Sequence, residues 1–245
     1  MGSPLMKGSP PSFYAAPGAL RGDLWTLLHP PYTAWHLGYV VCGASLAPEM
    51  DWPRLGLTVL AFFAGTGVAS HALDELHGRP LQTSFTDGQL KLMGYGGLGF
   101  CGALALAGAW MASPWVLAWA AAGCFLVCAY TLEWQGGLIH TDLGFALCWG
   151  GFPVLAAFWI QQERLSLASL VVAFAAVLSS LAQRDLSLNS RFLRRRAHRA
   201  VALLRTAHGD FLWEKDRLLS TWENPLRLLS WAVAALGLGL LLAHL

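Results

Sequence analysis

The chain predicts an all-α fold: a polytopic transmembrane helical bundle of about seven spans. Three observations lead there. Hydrophobic residues make up 56% of the 245 positions and charged residues only 12%, against about 25% charged in ordinary soluble domains. Apolar runs recur at close to the ~20 residues a helix needs to cross a bilayer. Fourteen of the 16 lysines and arginines fall in alternate inter-run segments, leaving Arg54 and Arg164 for the other side.

In order along the chain, the first 23 residues are rich in Gly, Pro and Ser. They predict a disordered lead without the apolar core of a signal peptide. Residues 24–245 then form one membrane domain, with spans near 31–48, 55–74, 92–112, 114–132, 143–161, 165–183 and 226–245. Small residues in the third run (Gly94, Gly97, Gly99, Gly102) suit close helix packing. The five cysteines all lie inside apolar runs and read as packing residues. The basic-residue bias puts the amino terminus and the loops at 75–91, 133–142 and 184–225 in the cytoplasm.

Those three loops carry the chemistry. The first, Ser70-His71-Ala72-Leu73-Asp74-Glu75-Leu76-His77-Gly78-Arg79-Pro80-Leu81, gathers acids, histidines and an arginine at the end of an apolar run. Ionisable groups so placed usually mark a site. On a continuing helix, His71, Asp74, Glu75 and Gly78 share a face. Asp74 and Glu75 can hold a magnesium ion, which needs one or two protein carboxylates, while Arg79 takes a phosphate oxygen. A helix end whose charges simply meet headgroups and water fits the same residues. The second loop, Tyr130 to Asp142, brings Glu133, His140 and Asp142 after a Gly136-Gly137 turn, with His140 a candidate general base. The third is basic. Arg191, Arg194, Arg195, Arg196, Arg199 and Arg205 interleave with apolar residues every three or four positions, which predicts an amphipathic helix over 191–211 that either lies in the headgroup plane or shares in binding a pyrophosphate substrate. Asp185, Asp210, Glu214, Asp216 and Glu223 dilute this charge, so nucleic acid is not an expected partner.

Together these residues resemble the UbiA-type intramembrane prenyltransferases. Ser70-His71-Ala72-Leu73-Asp74 stands where that family has Asn-Asp-x-x-Asp, and Arg79-Pro80-Leu81 matches its downstream element. Leu28-His29-Pro30-Pro31-Tyr32 and the stretch from Ala129-Tyr130-Thr131 to Gly150-Gly151-Phe152-Pro153 are similar in order and spacing. The likeness covers roughly residues 24 to 185. Where the family carries a second acidic motif, the chain has Gln183-Arg184-Asp185-Leu186-Ser187.

The resemblance implies transfer of an isoprenoid from its diphosphate to a lipid-like acceptor, with Mg2+ on Asp74 and Glu75. His71, Arg79, Lys91, Tyr130 and Glu133 would bind substrate, and Asp74, Glu75, His140 and Asp142 would serve catalysis. The competing expectation is a non-catalytic lipid- or quinone-binding membrane protein, or a subunit of a membrane complex.

Overall fold

A computed structural model describes residues 10–16 and 20–245. Its helices are α1 (Leu20–Leu28), α2 (Pro30–Ala44), α3 (Trp52–Leu76), α4 (Asp87–Met111), α5 (Trp115–Thr131), α6 (Asp142–Gln162), α7 (Leu167–Arg196) and α8 (Lys215–Leu242). A hairpin of β1 (Val201–Thr206) and β2 (Gly209–Glu214) joins α7 to α8. Among the described residues five helices, α3, α4, α6, α7 and α8, are long and apolar enough to cross a membrane. Helix α5 has 17 residues and α2 has 15. At 1.5 Å per residue α2 reaches about 22 Å, short of a ~30 Å hydrocarbon core.

The helix starts are written locally. The Asp51 side chain accepts from the Arg54 N–H at 3.0 Å to open α3, with Pro53 just inside. Thr86 and Gln89 form a reciprocal capping box on α4, as do Ser166 and Ser169 on α7. Thr141 caps α6. Two helices widen into π-helical stretches, Phe63–Ala69 in α3 and Leu147–Gly151 in α6. Each contains two glycines, and such stretches commonly mark functional positions.

Helix α2 is the axis of the packing. It lies against α8 and α6, with Trp35 and Val40 fully buried. Small residues let the backbones meet: a Cβ on Gly43 would stand 2.3 Å from the Val154 carbonyl oxygen, and one on Gly237 2.8 Å from that of Gly38. Helix α4 packs on α3 and α5, and α7 on α6 and α8.

Two sequence expectations change. Of the 1–23 lead, residues 1–9 and 17–19 lie outside the described set; residues 10–16 pack against the bundle and Leu20 already begins a helix. The basic stretch at 191–211 is not one amphipathic helix. Helix α7 runs to Arg196, and 201–206 pairs with 209–214 as a hairpin around Ala207-His208, with Gly209 at φ 126°. The glycine in the left-handed region supplies the tight turn that a continuing helix lacks.

Candidate functional site

Long-range hydrogen bonds define the two ends of the bundle. At one end Asp51, Arg54, Gln161 and Glu163 interlock, with Arg54 Nη1 3.3 Å from Glu163 Oε1. At the other, Ser84 bonds Asp23, Arg184 bonds Asp142, and Arg195 bonds the Pro11 carbonyl, so the polar loops singled out from the sequence share one end.

This second end forms an aromatic and basic mouth. The His71 ring lies 4.1 Å from that of His29, and Tyr14, Tyr32 and Phe13 continue the stack outward. Residues 10–16 are tied down by Trp25 Nε1 donating to the Tyr14 carbonyl at 3.1 Å, by Arg195 Nε donating to Pro11 at 3.2 Å, and by Arg227 over Phe13. Deeper, Tyr130 stacks on His140 at 4.4 Å and leans on Trp149 at 4.5 Å, with Phe145 beside both. Arg184 covers the Phe145 ring while its Nε pairs with Asp142 at 2.9 Å.

Each of these histidines is held in the same way. Nδ1 of His29, His36, His71 and His140 sits 2.8, 3.1, 3.0 and 3.0 Å from the carbonyls of Leu27, Trp149, Gly67 and Tyr130. A carbonyl only accepts, so Nδ1 carries the hydrogen and Nε2 of the neutral ring is left as an acceptor. Burial, and then the His71 beside it, push the His29 pKa well below its usual value. Burial pushes the Tyr14 phenol upward.

Asp74 is half-buried at this mouth, and its carboxylate makes no hydrogen bond or ion pair among the described residues. The charges that act on it are those of Arg191, His140, Arg195 and Glu75. The structure thus draws together four of the residues chosen from sequence: His71, Asp74, Tyr130 and His140.

The others do different work. Glu75 is 0% exposed and turned into the loop beyond α3. Its Oε2 accepts from the Leu81 N–H at 2.8 Å, and its Oε1 from the Thr83 N–H at 2.8 Å and the Thr83 hydroxyl at 3.0 Å. With both oxygens engaged it organises the loop instead of facing the mouth. Arg79 turns outward to Asp87 and the Phe85 carbonyl. Lys91 is exposed on α4. Asp142 is exposed and bound to Arg184, and Glu133 is exposed in a left-handed turn, 3.9 Å from His140 Nδ1.

From sequence, His29 and Tyr32 stood only in the Leu28–Tyr32 stretch of the resemblance, Tyr14 was passed over, and no single member of the basic run that holds Arg191 was singled out. A signal for His29 was present: it directly precedes Pro30-Pro31, where the chain must turn into α2, and it adopts φ 48° there.

Behind the mouth lies an apolar cleft between α3, α4, α5 and α6. Its empty volume, open side included, is about 920 Å³. Leu57, Phe62, Leu104, Val116 and Trp119 line it, and both π-helical stretches open onto it through Gly65, Thr66, Cys148 and Trp149. Trp149 belongs to the cleft and to the aromatic cluster of the mouth, so an aromatic layer joins the two.

Among the described residues no three or more His, Cys, Asp or Glu side chains gather as a metal shell. Asp74 offers one free carboxylate, and Glu75 is committed elsewhere. That donor set does not fit a metal clamp built from several carboxylates. No family model, curated protein or solved structure matches this chain.

Proposed function

We propose that the protein is an integral membrane transferase of prenyltransferase type, which moves an isoprenoid from its diphosphate to a lipid-like acceptor. The supporting observation is the juxtaposition of a charged aromatic mouth with an apolar cleft, joined through Trp149. An isoprenoid diphosphate has the same two-part character. Its tail belongs in the cleft and its anionic head at the mouth, which in this reading faces the cytoplasm, as the distribution of basic residues suggests.

The reaction breaks the bond between the isoprenoid C1 and the diphosphate oxygen, and the electron pair leaves with that oxygen. C1 bonds to a nucleophilic atom of the acceptor. Tyr130, Trp149 and Phe145 stand at the junction, where their π faces stabilise positive charge developing on C1. The apolar walls keep out the water that would otherwise capture it. The acceptor's proton passes to the free carboxylate of Asp74, or to Nε2 of a neutral His71 or His140. The UbiA-type resemblance supports the same chemistry.

The engagement of Glu75 by Leu81 and Thr83 favours a second reading, a non-catalytic binder of a lipid or quinone-like amphiphile. Purified protein incubated with C10–C20 isoprenoid diphosphates and a membrane-lipid extract separates the two. Transferase activity releases pyrophosphate and falls at least tenfold in Asp74→Asn. No release at any chain length, with Asp74→Asn indistinguishable from wild type, rejects the enzyme.

A further inference from the structure

Helix α7 presents Arg184, Arg191 and Arg195 at i, i+7 and i+11, a spacing that puts them on one face. Its arginines near the mouth are otherwise satisfied. Arg184 pairs with Asp142, Arg194 forks onto Glu223, and Arg195 donates to the Pro11 carbonyl. Arg191 differs. It is half-buried, yet it makes no hydrogen bond or ion pair among the described residues. On α7 it stands between Arg184, whose guanidinium covers Phe145 beside Tyr130, and Arg195, which holds Pro11 next to the Phe13–Tyr14 cluster, so it faces the mouth. A guanidinium withdrawn from water without a partner is unfavourable, and a ligand that supplies the missing anion removes that cost.

A second, independent observation points the same way. Tyr130 is 6% exposed, and its hydroxyl has no hydrogen-bond partner. Its ring stands beside Phe145, which the Arg184 guanidinium covers. A buried unpaired hydroxyl and a half-buried unpaired guanidinium at one mouth make a half-site for a tetrahedral oxyanion.

We infer that Arg191, assisted by Arg195 and the Tyr130 hydroxyl, forms a phosphate site that works without a divalent metal and takes the diphosphate head of an isoprenoid. The inference rests on the transferase reading and assigns its head-group contacts to arginine. The planar guanidinium fork offers two parallel N–H groups to phosphate oxygens. Facing one free carboxylate with two guanidinium groups, the mouth keeps the balance an anion requires. Glu75 does not compete, being bound within its own loop. Asp74 is left free to take the acceptor's proton.

The test is equilibrium binding of inorganic pyrophosphate to the purified full chain in phosphatidylcholine nanodiscs, by calorimetry, in EDTA and again with Mg2+. The inference expects binding in EDTA. The dissociation constant should rise roughly 10- to 100-fold in Arg191→Gln, as expected for the loss of a hydrogen-bonded charge. Arg191→Lys, which keeps the charge and loses the fork, should fall between. Arg205→Gln, at the 81% exposed hairpin arginine, should stay within about twofold of wild type. If Arg191→Gln does not fold, the Arg191→Lys rise and a twofold or greater loss in Tyr130→Phe carry the same expectation.

Binding in EDTA that ignores Arg191 substitutions overturns the inference. So does binding that needs Mg2+ and vanishes in Asp74→Asn, an outcome that leaves the transferase reading standing. Pyrophosphate binding abolished in phosphatidylglycerol nanodiscs would give the site to a lipid headgroup and overturn the diphosphate assignment. Absence of binding in every condition also overturns it, while pyrophosphate release from isoprenoid diphosphates judges the transferase reading separately.

Discussion

Substituting Glu75 by Gln separates a structural carboxylate from a catalytic one. In the native loop the carboxylate accepts from two backbone N–H groups at 2.8 Å and from a hydroxyl at 3.0 Å, in a fully buried position. A glutamine keeps one oxygen for Thr83 and must aim its NH2 at the Leu81 N–H. One buried donor is then unsatisfied, which costs about 1–3 kcal/mol, and the remaining bonds lose their charge assistance, about 1 kcal/mol more. The loop should weaken by about 2–4 kcal/mol in all. Amide hydrogen exchange reads this directly, because Leu81 and Thr83 exchange when the loop opens. Their protection should fall about 30- to 1,000-fold, while amides of α8 stay within about threefold of wild type. Unchanged protection at Leu81 and Thr83 would refute the reasoning and return Glu75 to the list of groups available to substrate.

Other perturbations have equally defined outcomes. Glu223→Ala strands the Arg194 guanidinium between α7 and α8 and should destabilise by about 3–5 kcal/mol in detergent melting. Adding Arg194→Leu should restore a good part of that loss. Gly43→Ala drives a methyl group into the Val154 backbone and should lose about 1–3 kcal/mol, at the upper end because backbone cannot step aside. For His29, burial and the neighbouring His71 hold the folded-state pKa below that of the unfolded chain. Its contribution is therefore complete above about pH 6.5 and is lost as pH falls below it, because only the unfolded chain takes up the proton. Melting temperature followed from pH 7.5 to pH 5 should drop, and His29→Gln should flatten the drop.

Much of the architecture was legible because apolar run length and small residues act locally. The five long apolar helices each overlie an expected span, and Gly94 and Gly97 lie close against α3. The hairpin was not legible, since the apolar residues of Val201 to Glu214 do not alternate and the pairing rests on the turn at Gly209. Among the site residues, Asp74, His71, Tyr130 and His140 converge because their helix ends share one end of the bundle. Glu75 is next to Asp74 in sequence, but the two side chains leave the helix about 100° apart. That rotation sends one into the mouth and the other into the Leu81–Thr83 loop. Arg191 was hidden for a different reason. In sequence it is one arginine among many, and only packing reveals which of them lacks a partner.

The central claim is that the cleft behind Trp149 receives an apolar chain whose charged head stays at the mouth. Photocrosslinking with a diazirine placed at the far end of an isoprenoid diphosphate, followed by peptide mapping, tests it most directly. Adducts are expected on cleft residues such as Leu104, Val116 and Trp119, suppressed by excess unlabelled isoprenoid diphosphate. Adducts confined to outward-facing residues such as Leu92, Leu106 and Trp231, insensitive to competitor, would contradict it.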